Sequence, residues 1–205
     1  MKIVFVGVPG SGKTTLASSV FVALKQAGRK AEYVHEFVRY DIHVNGRMTS
    51  IWEQYRTRQY QKELEDAVPD IADYIICDSG TLSPYFYACL YANPSDARQR
   101  LVLHDMYKYL LDDVYLKRYD LIFYLPLNNS QDMYLHDGTR YQTEAEIKVL
   151  DDHMRLMFTK LHSLPNVHTV SSAFDRRLEE AMWKILGIDY IELLTKQSEN
   201  ATITT

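Results

Sequence analysis

A chain of 205 residues, 46% hydrophobic and 24% charged, can build one compact α/β domain with a proper core, and two domains would be cramped. The net charge of −4 and pI of about 6.0, without any Lys/Arg block, argue against broad electrostatic affinity for long nucleic acid. Cys77 and Cys89 have no histidine beside them, so they make no metal pattern and fit a reducing, cytoplasmic setting. The N-terminal apolar run is too short for a signal peptide, and no segment approaches the ~20 apolar residues of a membrane span.

In chain order, residues 2–6 are apolar and β-branched and read as a buried first strand. Gly7-Val8-Pro9-Gly10-Ser11-Gly12-Lys13-Thr14 follows, a full GxxxxGK[ST] phosphate-binding loop. Its glycines let backbone N–H groups turn toward phosphate oxygens, Lys13 reaches the outer phosphates and the Thr14 hydroxyl suits Mg²⁺. Leu16, Val20, Ala23, Leu24 and Ala27 then recur at helical spacing until Gly28. The strand–loop–helix order places a helix N-terminus under the phosphates, so Gly7, Pro9, Gly10, Ser11, Gly12, Lys13, Thr14 and Thr15 form the expected nucleotide site.

A second strand is expected at 31–35, a loop at 41–47 ending in the turn pair Asn45-Gly46, and a helix at 50–67 opened by the capping box Ser50/Glu53. Residues 74–78 read as a third strand closed by Asp78. Ser83-Pro84 opens the next helix, and Asn93-Pro94-Ser95 breaks the chain and caps another. A fourth strand at 121–125 leads to a polar segment at 128–141, a candidate lid. A helix at 143–162, a short strand at 167–170 and a helix at 174–186 complete the pattern, with a polar tail at its end. Alternating strands and helices imply right-handed crossovers, a mostly parallel sheet covered on both faces, and a ligand cleft outside the strand C-termini.

Three groups that follow strand ends and one helix face carry the reactive chemistry. Asp78 stands where a carboxylate can hold Mg²⁺ directly or through water. Glu36, with Arg39 three residues on, can orient or deprotonate an acceptor hydroxyl while the arginine grips a phosphate or steadies the acid. Asp137-Gly138-Thr139-Arg140 supplies a hinge glycine and an arginine able to swing onto a transferring phosphoryl group, the catalytic role expected of Arg140. Trp52, Tyr55 and Arg56, with Arg58, put an aromatic and basic face on the helix expected over the acceptor, although core packing competes for the aromatic pair. The expected catalytic set is therefore Lys13, Glu36, Asp78 and Arg140, with Thr14 and Asp78 at the metal and Glu36, Arg39, Trp52, Tyr55 and Arg56 at the acceptor.

Together, the phosphate loop, Glu36-x-x-Arg39, Asp78-Ser79-Gly80 and Asp137-Gly138-x-Arg140 resemble the P-loop kinases of the nucleoside and nucleotide kinase group. Within that group they are nearest the branch of ribosylnicotinamide kinase domains and small phage-borne ATPase-like proteins. The resemblance covers about residues 2–187. It implies a three-layer α/β sandwich with a five-stranded parallel sheet of order 2-3-1-4-5, in one domain at 1–187 with a lid and a tail at 188–205. It further implies ATP and Mg²⁺ as cofactors and a hydroxyl or monophosphate of a nucleoside or nucleotide as acceptor, in a cytoplasmic monomer or homodimer. One departure stands out: many such kinases carry arginine directly after the strand-three acid, where this chain has Ser79, so a close thymidylate or deoxynucleoside kinase role does not follow.

Two other readings remain. The Glu-x-x-Arg spacing also resembles the acceptor site of polynucleotide 5′-kinases, which would make the acceptor a hydroxyl of DNA or RNA, a modified base included; the acidic pI argues against it. The third reading is an ATPase switch that couples hydrolysis to a partner. A GTPase is disfavoured, because Leu125-Pro126-Leu127-Asn128 stands where an Asn-Lys-x-Asp guanine motif belongs.

Overall fold

The computed structural model of the chain describes residues 1–127, 141–170 and 173–187. The expected lid, apart from Tyr141, and the tail at 188–205 lie outside them. Five parallel strands form one sheet: β1 (Lys2–Val6), β2 (Ala31–Val34), β3 (Tyr74–Asp78), β4 (Leu121–Tyr124) and β5 (Val167–Thr169). Their order is β2-β3-β1-β4-β5, so the chain winds outward from β1 in both directions, as expected.

The alternation of side chains along β1 builds the two outer layers. Ile3 and Phe5 face a core shared with Leu16, Val20 and Leu24 of α1 (Lys13–Gln26) and Ala181, Met182 and Ile185 of α7 (Arg177–Leu186). Val4 and Val6 face the opposite core. There they meet Phe86 of α4 (Ser83–Tyr91), Leu110 and Val114 of α5 (Ala97–Tyr115) and Leu150, Met154 and Phe158 of α6 (Glu144–Leu161). The sheet is thus apolar on both sides, which is why its strands read as continuous hydrophobic runs.

α3 (Ile51–Asp66) packs on α4 and α5 through a smaller cluster of Ile51, Ala88 and Met106. Its capping box forms as expected, with the Glu53 N–H donating to Ser50 Oγ and Ser50 N–H to Glu53 Oε2. Two expectations change. The loop foreseen at 41–47 is mostly helix, α2 (Phe37–Asn45), and only its end falls at Asn45-Gly46. Local support for that helix is slight, a hydrogen bond from Asn45 Nδ2 to Asp41 Oδ1 one turn back. It is held by α3, where Gln61 Oε1 accepts from the Phe37 N–H at 2.8 Å, Arg56 pairs with Asp41 at 2.7 Å and Phe37 stacks on Tyr60. The cap of α5 is Asp96, whose carboxylate accepts from the Arg98 and Gln99 N–H groups, while Asn93 closes a preceding turn onto Ser95.

A candidate active site at the strand ends

Between Val6 and Lys13 the chain leaves the centre of the sheet and enters α1. Gly10 and Gly12 both lie at φ 86°, a left-handed backbone that glycine adopts without strain, and Gly12 is the N-cap of α1. The first turn of α1 therefore presents N–H groups and the positive end of the helix dipole to whatever sits in the loop. Ser11 is 2% exposed, and its carbonyl accepts a 2.6 Å hydrogen bond from Arg177, a residue the sequence marks only as one more charge at a helix start. The loop is thus clamped from the last helix of the described fold.

Beside it, β3 ends at Asp78. The side chain is buried, with Oδ2 accepting from the Tyr33 hydroxyl at 3.4 Å and Oδ1 an orphan acceptor. Burial first, and the nearby Glu36 charge second, push its carboxyl above the usual range, while Lys13, a hydrogen bond with Thr14 and Arg39 pull it down. Burial and the Asp78 charge likewise hold the Tyr33 phenol protonated, so it stays a donor. A buried carboxylate with a free oxygen beside a threonine hydroxyl is a hard oxygen donor set suited to a Mg²⁺ ion that takes its other ligands from phosphates and water.

Glu36 lies at the end of β2, as the N-cap of α2. Its Oε1 accepts from Ser79 Oγ at 2.6 Å and its Oε2 is 4.0 Å from Lys13 Nζ. Glu36 thereby stands in the wall of a cleft that runs from the phosphate loop to α2, α3 and α4. Glu36, Arg39, Arg47, Met48, Ser83, Tyr87 and Tyr141 border this cleft, together with Pro9, Gly10, Gly12, Lys13, Thr14 and Thr15 on the side of the loop.

The face that α3 turns to the cleft differs from the expected one. Gln54, Thr57 and Gln61 line it, a stripe at i, i+3 and i+7. Trp52 is 51% exposed, Tyr55 packs against the Ile51 cluster and Arg56 turns to Asp41; none of the three borders the cleft. Arg58 is buried, paired with Asp113 at 2.8 Å and lying over the Tyr109 ring. The polar stripe Gln54-Thr57-Gln61 follows helical periodicity, but polar residue types alone do not separate a cleft-lining face from a solvated one. Arg140, with Asp137 and Gly138, lies outside the described residues. Ser79, Tyr33, Gln61 and Arg177 were not foreseen, because each meets a partner distant in sequence, and Gln54 was not because only packing decides which face of α3 meets the cleft.

A family model described as an AAA domain matches residues 2–177. No curated protein sequence matches the chain. Among solved structures, NadR protein in complex with NR has a TM-score of 0.69 at 16% identity, over 92% of this chain and 52% of that one. NadR protein in complex with NAD and AMP-PNP has a TM-score of 0.69 at 15% identity, over 92% and 50%. Deoxyadenosine kinase from M. mycoides with bound dATP has a TM-score of 0.58 at 16% identity, over 90% and 98%. The chain spans about half the length of the NadR chains. These likenesses place its fold in the P-loop nucleoside-kinase-like group.

Proposed function

The chain belongs to the AAA-domain family whose model covers residues 2–177, and from that membership and the site geometry we propose that it is a phosphotransferase. It moves the γ-phosphate of ATP to a hydroxyl or monophosphate of a nucleoside- or nucleotide-type small molecule. The observation that carries this reading is the position of Glu36, 4.0 Å from the phosphate-loop Lys13 and lining the same cleft, which continues from the loop to α2, α3 and α4. A hydrolase needs only the loop and a water; a cleft that extends past the loop, with a carboxylate in its wall, suits a second substrate.

In this reading the Gly10–Gly12 loop and the first turn of α1 hold the donor phosphates, with Lys13 over the outer two. Thr14 and Asp78 would hold Mg²⁺, which neutralises phosphate charge as transfer proceeds. Glu36 orients the acceptor group, and Arg39, exposed one turn beyond it on α2, grips an acceptor from the solvent side. The M. mycoides kinase and the NR and AMP-PNP named for NadR lend support from proteins of like fold.

The test is γ-labelled ATP with Mg²⁺ and a panel of nucleosides, nucleotides and 5′-hydroxyl oligonucleotides. Label appearing in a small acceptor is the expected result. Label in the oligonucleotide alone would favour a polynucleotide kinase, and fast hydrolysis indifferent to every acceptor would favour a switch. Glu36→Gln keeps the side-chain shape, so transfer should drop about 10²- to 10⁴-fold with ATP binding retained. Intact transfer in that variant would reduce Glu36 to a structural role.

A further inference from the structure

We propose that Glu65, a buried carboxylate outside the cleft lining, is a positioning residue that fixes the spacing between Glu36 and the turn at Asp78–Gly80. The proposal rests on the kinase reading above, because it concerns how the walls of that site are held.

Two arms leave Glu65. On one, Gln61 Nε2 donates to Glu65 Oε1 at 3.5 Å, and Gln61 Oε1 accepts from the Phe37 N–H at 2.8 Å, next in the chain to Glu36. On the other, the Tyr119 hydroxyl donates to Glu65 at 2.9 Å and accepts from the Thr81 N–H at 2.8 Å, just beyond Ser79 and Gly80. The arms meet again in the site, where Ser79 Oγ donates to Glu36 Oε1 at 2.6 Å. A closed ring of hydrogen bonds and short chain segments thus joins the ends of β2 and β3 through a carboxylate bonded to neither Glu36 nor Ser79. The turn has little slack. Ser79 and Gly80 hold φ of 65° and 57° in succession, and a Cβ on Gly80 would stand 2.8 Å from the Tyr119 hydroxyl. A shift of Tyr119 therefore moves the turn that carries Asp78 and Ser79.

Stability does not call for a charge at this place, since a buried ion pair gains little over an apolar pair of like volume. Its donors do call for one. Arg118 Nε and Nη2, the Tyr119 hydroxyl and the Gln61 amide all point at Glu65, and a carboxylate has the acceptor capacity to meet them together. Arg118 neutralises the buried charge and reaches on to Asp66 at 2.8 Å, so the node is also tied to the end of α3. A glutamine at 65 presents one acceptor oxygen in place of two and cannot serve both arms and Arg118 at once. The ring matters to catalysis because reacting groups must be held closely. A displacement of about 1 Å, even from a change far from the chemistry, costs about 10²-fold in rate.

The experiment offers the full chain MgATP labelled in the γ-position and a mixture of the common nucleosides and their 5′-monophosphates. Tyr119→Phe cuts one arm at a residue outside the cleft lining, and Glu65→Gln weakens both arms. Each should lower kcat for label transfer about tenfold or more, with the Kd for ATP within about twofold. Because both act through one node, the double variant should fall no further than Glu65→Gln. In Glu65→Gln, amide exchange should quicken at Phe37 and Thr81 more than at Val4 in the centre of the sheet. If Glu65→Gln does not fold, the kcat of Tyr119→Phe decides alone. A native kcat in folded Tyr119→Phe, or losses that add in the double variant, would overturn the proposal while the kinase reading stands. Hydrolysis by the native chain with no label in any acceptor would remove both.

Discussion

Arg177, at the start of α7, donates to the carbonyl of Ser11 at 2.6 Å, so the last described helix holds the phosphate loop across 166 residues of chain. A planar guanidinium inside the fold fixes a backbone carbonyl more firmly than a flexible ammonium can. Arg177→Met should therefore loosen the loop and raise the Kd for ATP about three- to tenfold, with Arg177→Lys between the two. Calorimetric titration of ATP into the three proteins decides it. Equal affinities would show that the loop holds its shape without the clamp.

Lys13→Ala removes the cation that faces Glu36 and that, in the proposed reading, reaches the outer phosphates. The loss of one charge-assisted contact should cost about 1.5–3 kcal/mol or more in the transition state. The measurement is ATP turnover in a variant shown to be folded by circular dichroism. Turnover at the native rate would break the assignment of the phosphate loop as the donor site.

In sequence Arg140 follows β4, the neighbour of β1, and comes two residues after Gly138, the expected hinge. If it reaches the transferring group only as transfer occurs, Arg140→Ala should lower kcat far more than it weakens ATP binding. Arg140→Lys, which keeps charge and loses the planar fork, should remain clearly impaired. The kcat and the ATP Kd of both variants separate this from a ground-state contact, which would weaken binding and spare kcat.

Gly80 lies at φ 57°, and a Cβ there would meet Val4 Cγ2 at 2.5 Å and the Tyr119 hydroxyl at 2.8 Å. That hydroxyl is itself tied to Thr81 and Glu65, in a buried chain that continues to Asp113 and Arg58, so it cannot simply swing away. Gly80→Ala should destabilise the fold by about 2 kcal/mol or more, combining overpacking with backbone strain. Urea unfolding measures it directly, and an unshifted midpoint would contradict the close approach.

The strands and the phosphate loop were legible in the chain because they rest on local patterns, while the strand order followed from the family resemblance. Apolar runs make buried strands, Gly10 and Gly12 permit the loop, and the alternation of elements implies the winding. Asp78 and Glu36 could be picked out for the same reason: each stands where a strand stops. What local pattern does not carry is which side chain meets which. Helix α2 forms because Gln61, Arg56 and Tyr60 of another helix hold it. The cleft takes Gln54, Thr57 and Gln61 because packing rotates α3 to present that stripe, leaving Trp52 to solvent and Arg56 to Asp41. Ser79, noticeable in the sequence only as a missing arginine, becomes the partner of Glu36 through a backbone angle that its neighbours impose. The residue types therefore determine the phosphate-loop pattern and its place at the end of β1. Long-range hydrogen bonds, which form only once the layers close, decide what surrounds it.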